Sequence, residues 1–497
     1  MMVWRDNLWF LQVLYNNEFL LVPTVAFWAS VLVGALHSPV LQFFYIEIGA
    51  TPEELGNIGA LTSVFTLLLA PVYGKLVDSE RTYTAMLLSW GVCTLACIFR
   101  GFATSVTHLY IASTLIGLGG SVNALVLAHI SLHANRTRRS TVVAAYGAIS
   151  MFVGLLGSLL YPPVNRILLY LIGVDDEEDG SNGSSFHSSK RLLRYRITVS
   201  LCTVGCLIGF VCLIVLVLKM RKTNYSSDFR DVASPGERND SIEDTAVGES
   251  LGNNDRINQG HKGLGGFRYS CVIFTIAFGL VCCNICLAVV RIVWPIYLKE
   301  KYGWGSYEYG IAVIFLVTSN LAGLSALPTF ERYSSLLFVL LTSLFLGSAV
   351  CFTAALVSNQ SQYLHTLLMC VFSSLLCMGE SSLRSLATLQ GSRLLQGRAW
   401  GLLSSLEEIG KMTGSTFTRL LKISYDGPFM VVSWILLLNF VCFSVLSKFR
   451  WISDPFSATH NYNRVATSID QESSLELIGQ DSSNALDSSK DTVTHRK

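Results

Sequence analysis

Twelve stretches of mostly apolar residues run through the sequence, near 22–46, 55–77, 84–103, 107–131, 140–163, 197–219, 268–297, 308–328, 333–356, 362–384, 399–422 and 428–449. A helix needs about 20 such residues to cross the hydrocarbon core of a bilayer. The runs are continuous and lack the short alternating pattern of barrel strands, so the expected fold is an all-α polytopic membrane protein. Composition agrees: 51% of residues are apolar and 14% charged, against roughly 25% charged in a soluble domain. A soluble core could not bury that much apolar surface. Basic and acidic residues number 36 and 34, for a net charge of +2, so nucleic-acid binding has no electrostatic support.

Two polar stretches interrupt the pattern. Residues 220–267, rich in Ser, Asn, Asp and Gly, read as a disordered linker between the sixth and seventh spans, and residues 450–497 as a disordered tail. The expected layout is an N-terminal segment 1–21, a six-helix half 22–219, the linker, a six-helix half 268–449 and the tail. The first residues mix Arg5, Asp6 and Glu18 among aromatics, without the pattern of a cleavable leader. Short-loop Lys and Arg gather on one face, at Lys75, Arg81, Arg136, Arg138, Arg139, Arg332, Arg393 and Arg398. That face, with both chain ends, is expected to be cytoplasmic. Lys190, Arg191, Arg194 and Arg196 fall on the other face, where the acidic run 175–179 could partner them. The acceptor Asn182-Gly-Ser184 lies on the expected outer face and is the candidate glycosylation site. The membrane occupied, plasma membrane or organelle, is left open.

All thirteen cysteines fall within or at the edges of apolar runs and read as packing thiols. Cys282-Cys283-x-x-Cys286 contains a CxxC, but without a second ligand pair no metal site is expected. No phosphate-binding glycine loop or Ser/His/Asp set stands in the loops, so neither an enzyme nor an ATP-driven pump is expected, and no cofactor.

Several strings resemble the major facilitator superfamily. Gly74-Lys-Leu-Val-Asp78-Ser-Glu-Arg81 after the second span is similar to its cytoplasmic-gate loop, with a reduced basic cluster. Ile116-Gly-Leu-Gly-Gly-Ser121 is similar to its glycine motif, with Ser113 in place of the usual Arg. Gly147, Gly154 and Gly157 before Pro162-Pro163 resemble its antiporter signature, and Trp304-Gly-Ser-Tyr-Glu-Tyr-Gly310 the entry to its eighth span. The counterpart Phe330-Glu-Arg-Tyr333 lacks the Gly and Asp. Ser382-Leu-Arg384-Ser-Leu and Gly397-Arg-Ala-Trp-Gly-Leu-Leu-Ser-Ser-Leu-Glu407 resemble the proton-coupled folate transporter family, which carries organic anions. The resemblance implies a twelve-helix transporter of small solutes in which spans one, four, seven and ten line the cavity.

A charge at the bilayer centre costs about 2.5–3.5 kcal/mol or more and so faces a cavity or a partner. The sixth, ninth and twelfth spans have no ionisable residue in their interiors, and the third has only Arg100 near its end. The candidates stand elsewhere: His37 in the first span, Asn123 and His129 in the fourth, Arg291 in the seventh, Glu380 and Arg384 in the tenth, and Glu407, Glu408 and Lys411 in the eleventh. Arg291 could clasp a carboxylate or sulfate bidentately, or pair internally. Glu380 with Arg384, and Glu407 with Lys411, are spaced i,i+4 and read either as structural ion pairs or as a protonation-coupled network. His37 and His129 could titrate near neutrality or simply satisfy packing. Asn123, Asn284 and Asn320 could bind substrate or a neighbouring helix. Trp294 beside Pro295 reads as an interfacial anchor or a cavity wall.

The expected function is secondary transport of a small organic anion in symport with protons. The alternatives are proton-antiport export of drugs or metabolites and a non-transporting membrane sensor or scaffold. The expected partners are the lipid bilayer, a small-molecule substrate and protons.

Overall fold

The computed structural model describes residues 18–79, 81–133, 139–172, 185–222, 262–390 and 396–448. The described residues form helices joined by short turns, with no strand among them. In chain order the spans are Glu18–Glu47, Pro52–Asp78, Thr82–Gly101, Val106–Gly119 continued by Val122–His133, Arg139–Ile172 and Ser185–Lys222. The next six are Lys262–Ala288 continued through Val289–Val293 to Trp294–Tyr302, Ser306–Tyr333, Leu336–Val357, Gln362–Gln390, Gln396–Ser415 continued by Thr416–Lys422, and Gly427–Lys448. Eleven are long and apolar enough to cross a membrane. The remaining crossing, the eleventh in order, carries Glu407, Glu408 and Lys411 in its interior. Twelve crossings return Lys448 to the side of Glu18, called here the terminal face.

The fifth and sixth helices extend beyond the expected runs, and this relocates a basic cluster. Lys190, Arg191, Arg194 and Arg196 lie on the sixth helix itself and not in a loop. Arg191 meets Glu47 at 3.8 Å, Arg196 donates to the Ala103 carbonyl at 2.9 Å, and Arg194 is buried over the Tyr195 ring. Arg191 and Arg196 therefore take partners from the ends of the first and third spans. The acidic run 175–179 and Asn182 lie outside the described residues, as do 223–261 of the expected linker. Helix runs to Lys222 and resumes at Lys262, inside both of that linker's expected ends.

Two interruptions follow from local chemistry. Within the fourth span the helix breaks at Gly120 and Ser121, leaving carbonyls that apolar surroundings cannot satisfy. Side chains take them: Thr66 donates to Gly117, Tyr73 to Leu118, and Ser89 to Gly119 at 3.0, 2.9 and 2.6 Å. A Cβ on Gly119 would lie 2.7 Å from the Ser89 carbonyl oxygen, so only glycine permits this approach of the third and fourth spans. In the seventh span, Pro295 offers no N–H to the carbonyl of Arg291 and its ring crowds that carbonyl. The chain responds with the widened π turn Val289–Val293.

The first six and last six spans meet along two seams. The second and eleventh spans touch over their length, from Gly56 against Ser415 to Gly401 against Ala70. The other seam closes at the face opposite the termini. There Trp294 lies edge-on to Tyr309 with centroids 5.9 Å apart, Phe43 packs on Tyr309 at 6.0 Å, and Gly310 rests on the Tyr161 ring. Trp294 and Tyr161 are fully buried. Trp294 is therefore no interfacial anchor; it is part of the seal. At the same end Lys422 and Arg419 reach Glu53 at 2.5 and 3.5 Å in exposed pairs, which solvent screens.

Gly119→Leu would force the third and fourth spans apart. The expected loss is about 1–3 kcal/mol, measured as a lowered unfolding midpoint in detergent, with Gly147→Leu, where a Cβ meets open space, as the neutral control.

Candidate functional site

The tenth span stacks Glu380 and Arg384 one turn apart on one face. Arg384 donates from Nη2 to Glu380 Oε1 at 2.7 Å and from Nε to Glu407 Oε1, on the eleventh span, at 2.9 Å. Both carboxylates are largely buried, with side-chain exposures of 9% and 14%, while Arg384 keeps 32%. One guanidinium is thus shared between two carboxylates on two helices. Lys411 donates to Glu408 Oε1 at 2.5 Å. The expected Glu407–Lys411 pairing is corrected: Glu407 turns to the tenth span and Lys411 takes the residue three positions back. Both i−3 and i−4 lie on one helix face, and the pull of Arg384 decides between them. These five groups carry three negative and two positive charges.

Arg291 projects from the π turn and is exposed. Among the described residues it has no hydrogen-bond or ion-pair partner, although Tyr309 and Cys377 feel its charge. A π turn inserts one residue into the helical register and re-aims the side chain it carries. Here that side chain is the cation standing one turn from the Trp294–Tyr309 seal.

The remaining candidates lie among the first six spans. Asn123 is exposed and its Oδ1 accepts from the Tyr146 hydroxyl at 3.0 Å. Tyr146 stacks on Phe27 and Trp28, with centroids 5.8 and 6.4 Å away, and Trp28 Nε1 donates to Ser150 at 3.1 Å. This aromatic set escapes sequence reading because its members come from two helices and none carries a charge at neutral pH. His37 and His129 do not join the charged cluster. His37 is buried and pairs with the Val33 carbonyl through Nδ1 at 3.1 Å. His129 meets the Tyr83 hydroxyl at 3.2 Å through Nε2, its ring edge-on to Tyr83. Asn320 and Asn284 are buried, each with an unpartnered Oδ1. At the terminal face Gly74 is buried, Asp78 half-buried and Arg81 exposed at the corner between the second and third spans.

Depth aligns the two groups. Trp28, Asn123, Tyr146, Arg384 and Glu407 lie ten, ten, seven, six and eleven residues from the terminal-face ends of their helices at Glu18, His133, Arg139, Gln390 and Gln396. That is roughly two to three helical turns.

A second polar knot ties the opposite face. Asp426 accepts from Lys301 at 3.0 Å and Ser358 at 2.8 Å, and the buried His365 packs between Tyr297, Tyr302 and Phe429. It joins the seventh span to the turns before the tenth and twelfth, and reads as structural.

Residues 24–389 match the model of the Major Facilitator Superfamily. Over 171 residues the chain is 28% identical to the Multidrug resistance protein MdtG of Proteus mirabilis (strain HI4320). That match covers 32% of this chain and 40% of the relative, so the chain spans about two fifths of its length. Solved structures share the fold. The proton:xylose symporter XylE bound to 6-bromo-6-deoxy-D-glucose matches with TM-score 0.62 at 13% identity, over 88% of this chain and 96% of that one. The Escherichia coli fucose:proton symporter FucP matches with TM-score 0.54 at 12% identity, over 86% and 98%. The human organic anion transporter MFSD10 matches with TM-score 0.51 at 15% identity, over 85% and 98%.

Removing the shared cation tests the site's energetics. Arg384→Met strands two carboxylates and is expected to lower stability by about 1–3 kcal/mol, the partial exposure of Arg384 moderating the cost of breaking a buried pair. Adding Glu407→Gln should recover part of that loss in thermal unfolding, whereas additive losses would mean the two do not interact.

Proposed function

The chain is a multi-pass membrane transporter of the Major Facilitator Superfamily, and on that footing we propose that it moves a small organic anion in symport with protons, as two six-helix halves rock about a central site. The observation that carries this reading is Arg384 held between Glu380 and Glu407. With both carboxylates ionised, the guanidinium is occupied and neutralised. A proton on Glu407 removes the acceptor charge at Nε, so that edge of Arg384, still paired with Glu380 through Nη2, can take a substrate carboxylate. Anion binding and protonation of Glu407 then favour each other, which is the thermodynamic content of coupling.

Arg291 supplies a second cation, already without an ion-pair partner among the described residues. A dianion, or one carboxylate passed between sites, could use both. Asn123 and the aromatic surface of Phe27, Trp28 and Tyr146 would hold the uncharged part of the substrate at matching depth. Gly74, Asp78 and Arg81 would act in the terminal-face gate, through which the site opens while the aromatic seal holds the other end closed. The organic anion transporter among the structural neighbours and the symporters beside it are in keeping with this chemistry.

The aromatic set also favours a second reading, proton-antiport export of an amphiphilic compound, with the multidrug resistance protein MdtG as the precedent. Direction of flux separates the two. Symport predicts that substrate and protons move the same way; antiport predicts that they oppose.

In proteoliposomes, uptake from a panel of organic anions is expected to rise when a proton gradient is imposed in the direction of uptake. Glu407→Gln should abolish that stimulation while retaining anion exchange, because the amide mimics the protonated acid. Arg291→Ala should cut uptake by about tenfold to a hundredfold, the worth of one charge-assisted contact. A wild type indifferent to the gradient removes proton coupling, and full uptake by Arg291→Ala removes the anion clasp.

A further inference from the structure

The third and sixth spans press together near the face opposite the termini, where Gly101 meets Ser200. One turn in from Arg100, Cys97 points across this seam at Cys202 and Cys206, which lie one turn apart on the sixth span. The three Sγ atoms all lie within 4.8 Å of one another, and Cys97 and Cys206 are 3.8 Å apart. All three thiols are buried and free. Phe99, Leu201 and Val204 present apolar surface on the flanks, so the pocket is shielded from water.

A metal ion bound by three thiolates at about 2.3 Å fixes trigonal sulfurs roughly 4 Å apart (2.3 Å times the square root of three). The existing triangle, with one side of 3.8 Å and none longer than 4.8 Å, meets that requirement with shifts of less than about 1 Å. A Cys97–Cys206 disulfide would instead need its sulfurs at about 2.05 Å, a contraction of nearly 2 Å. No fourth His, Cys, Asp or Glu among the described residues joins the cluster, so a tetrahedral protein-only zinc site is not built here.

Charge is provided for as well. Arg100 follows Cys97 by three residues, its Nε is buried without a hydrogen-bond partner, and its field reaches all three sulfurs. A divalent ion with three thiolates carries one net negative charge, which the guanidinium cancels. A monovalent ion reaches the same balance if one thiol keeps its proton. Each thiol that binds as thiolate gives up its proton to the medium. Soft sulfur ligands select soft, thiophilic ions.

We propose that Cys97, Cys202 and Cys206 form a three-coordinate thiolate site for a soft metal ion, clipping the third span to the sixth. The site is independent of the charged cluster and of the transport reading. Its effect would be to stiffen the first six spans, since an ion that binds only the folded protein raises its stability.

The reduced, full-length protein in detergent is titrated with cadmium(II). The expected result is one ion per chain, a sulfur-to-metal ultraviolet absorption, and a raised thermal midpoint. Cys97→Ser and Cys202→Ser should each weaken binding at least tenfold and lose the absorption, while Cys283→Ser, outside the cluster, should keep both. Binding unchanged in Cys97→Ser and Cys202→Ser, no sulfur-to-metal absorption, or loss of binding in Cys283→Ser alone would each overturn the site.

Discussion

Hydrocarbon accepts neither an unpaired backbone group nor an unpaired charge, and the structure answers that single demand repeatedly. Where the fourth span breaks, the freed carbonyls find Thr66, Tyr73 and Ser89. Where the tenth and eleventh spans bring charge into the interior, Arg384 finds two carboxylates and Lys411 a third. Polar residues inside a membrane are expensive unless satisfied. Arg384 and Lys411 are held in networks whose rearrangement requires a replacement partner.

That requirement gives the site its logic. The Glu380–Arg384–Glu407 triad is quiet as long as every member is charged, and changing one member's charge disturbs the other two. The seal at the opposite face is of another kind, built from Trp294, Tyr309, Phe43 and Tyr161. Aromatic contacts involve no formal charge, so they can part and reform without leaving one stranded. In the proposed cycle, charge would sit where binding is felt and apolar surface where the halves separate.

Much of the fold is legible in the sequence, because the length of an apolar run is a one-dimensional property. All twelve crossings lie where the runs do, with the fifth, sixth and seventh helices extending furthest beyond them. Arg191 lies on the sixth helix before its apolar run begins, and in the fifth Asn165 and Arg166 interrupt an apolar stretch that resumes through Ile172. The charged candidates are legible as well, because a bilayer makes any interior charge conspicuous. Their partners are not. Glu407 has Lys411 within helical reach, but its actual partner comes from the tenth span, and no local spacing encodes that. His37 and His129 show the converse: conspicuous by type, they are satisfied by Val33 and Tyr83 within the first four spans. Trp294 misleads because tryptophan is common at interfaces, whereas here it fills the interior of a seam.

The contact between the second and eleventh spans has a mechanical consequence. A Cβ on Gly401 would lie 2.8 Å from the Ala70 carbonyl oxygen, so the two backbones nearly touch there, as they do near Gly56 and Ser415. Helices that close cannot be drawn apart without exposing bare peptide. Under the rocking of two halves proposed above, this line would therefore serve as the pivot, and turning about it would widen one mouth as it narrows the other.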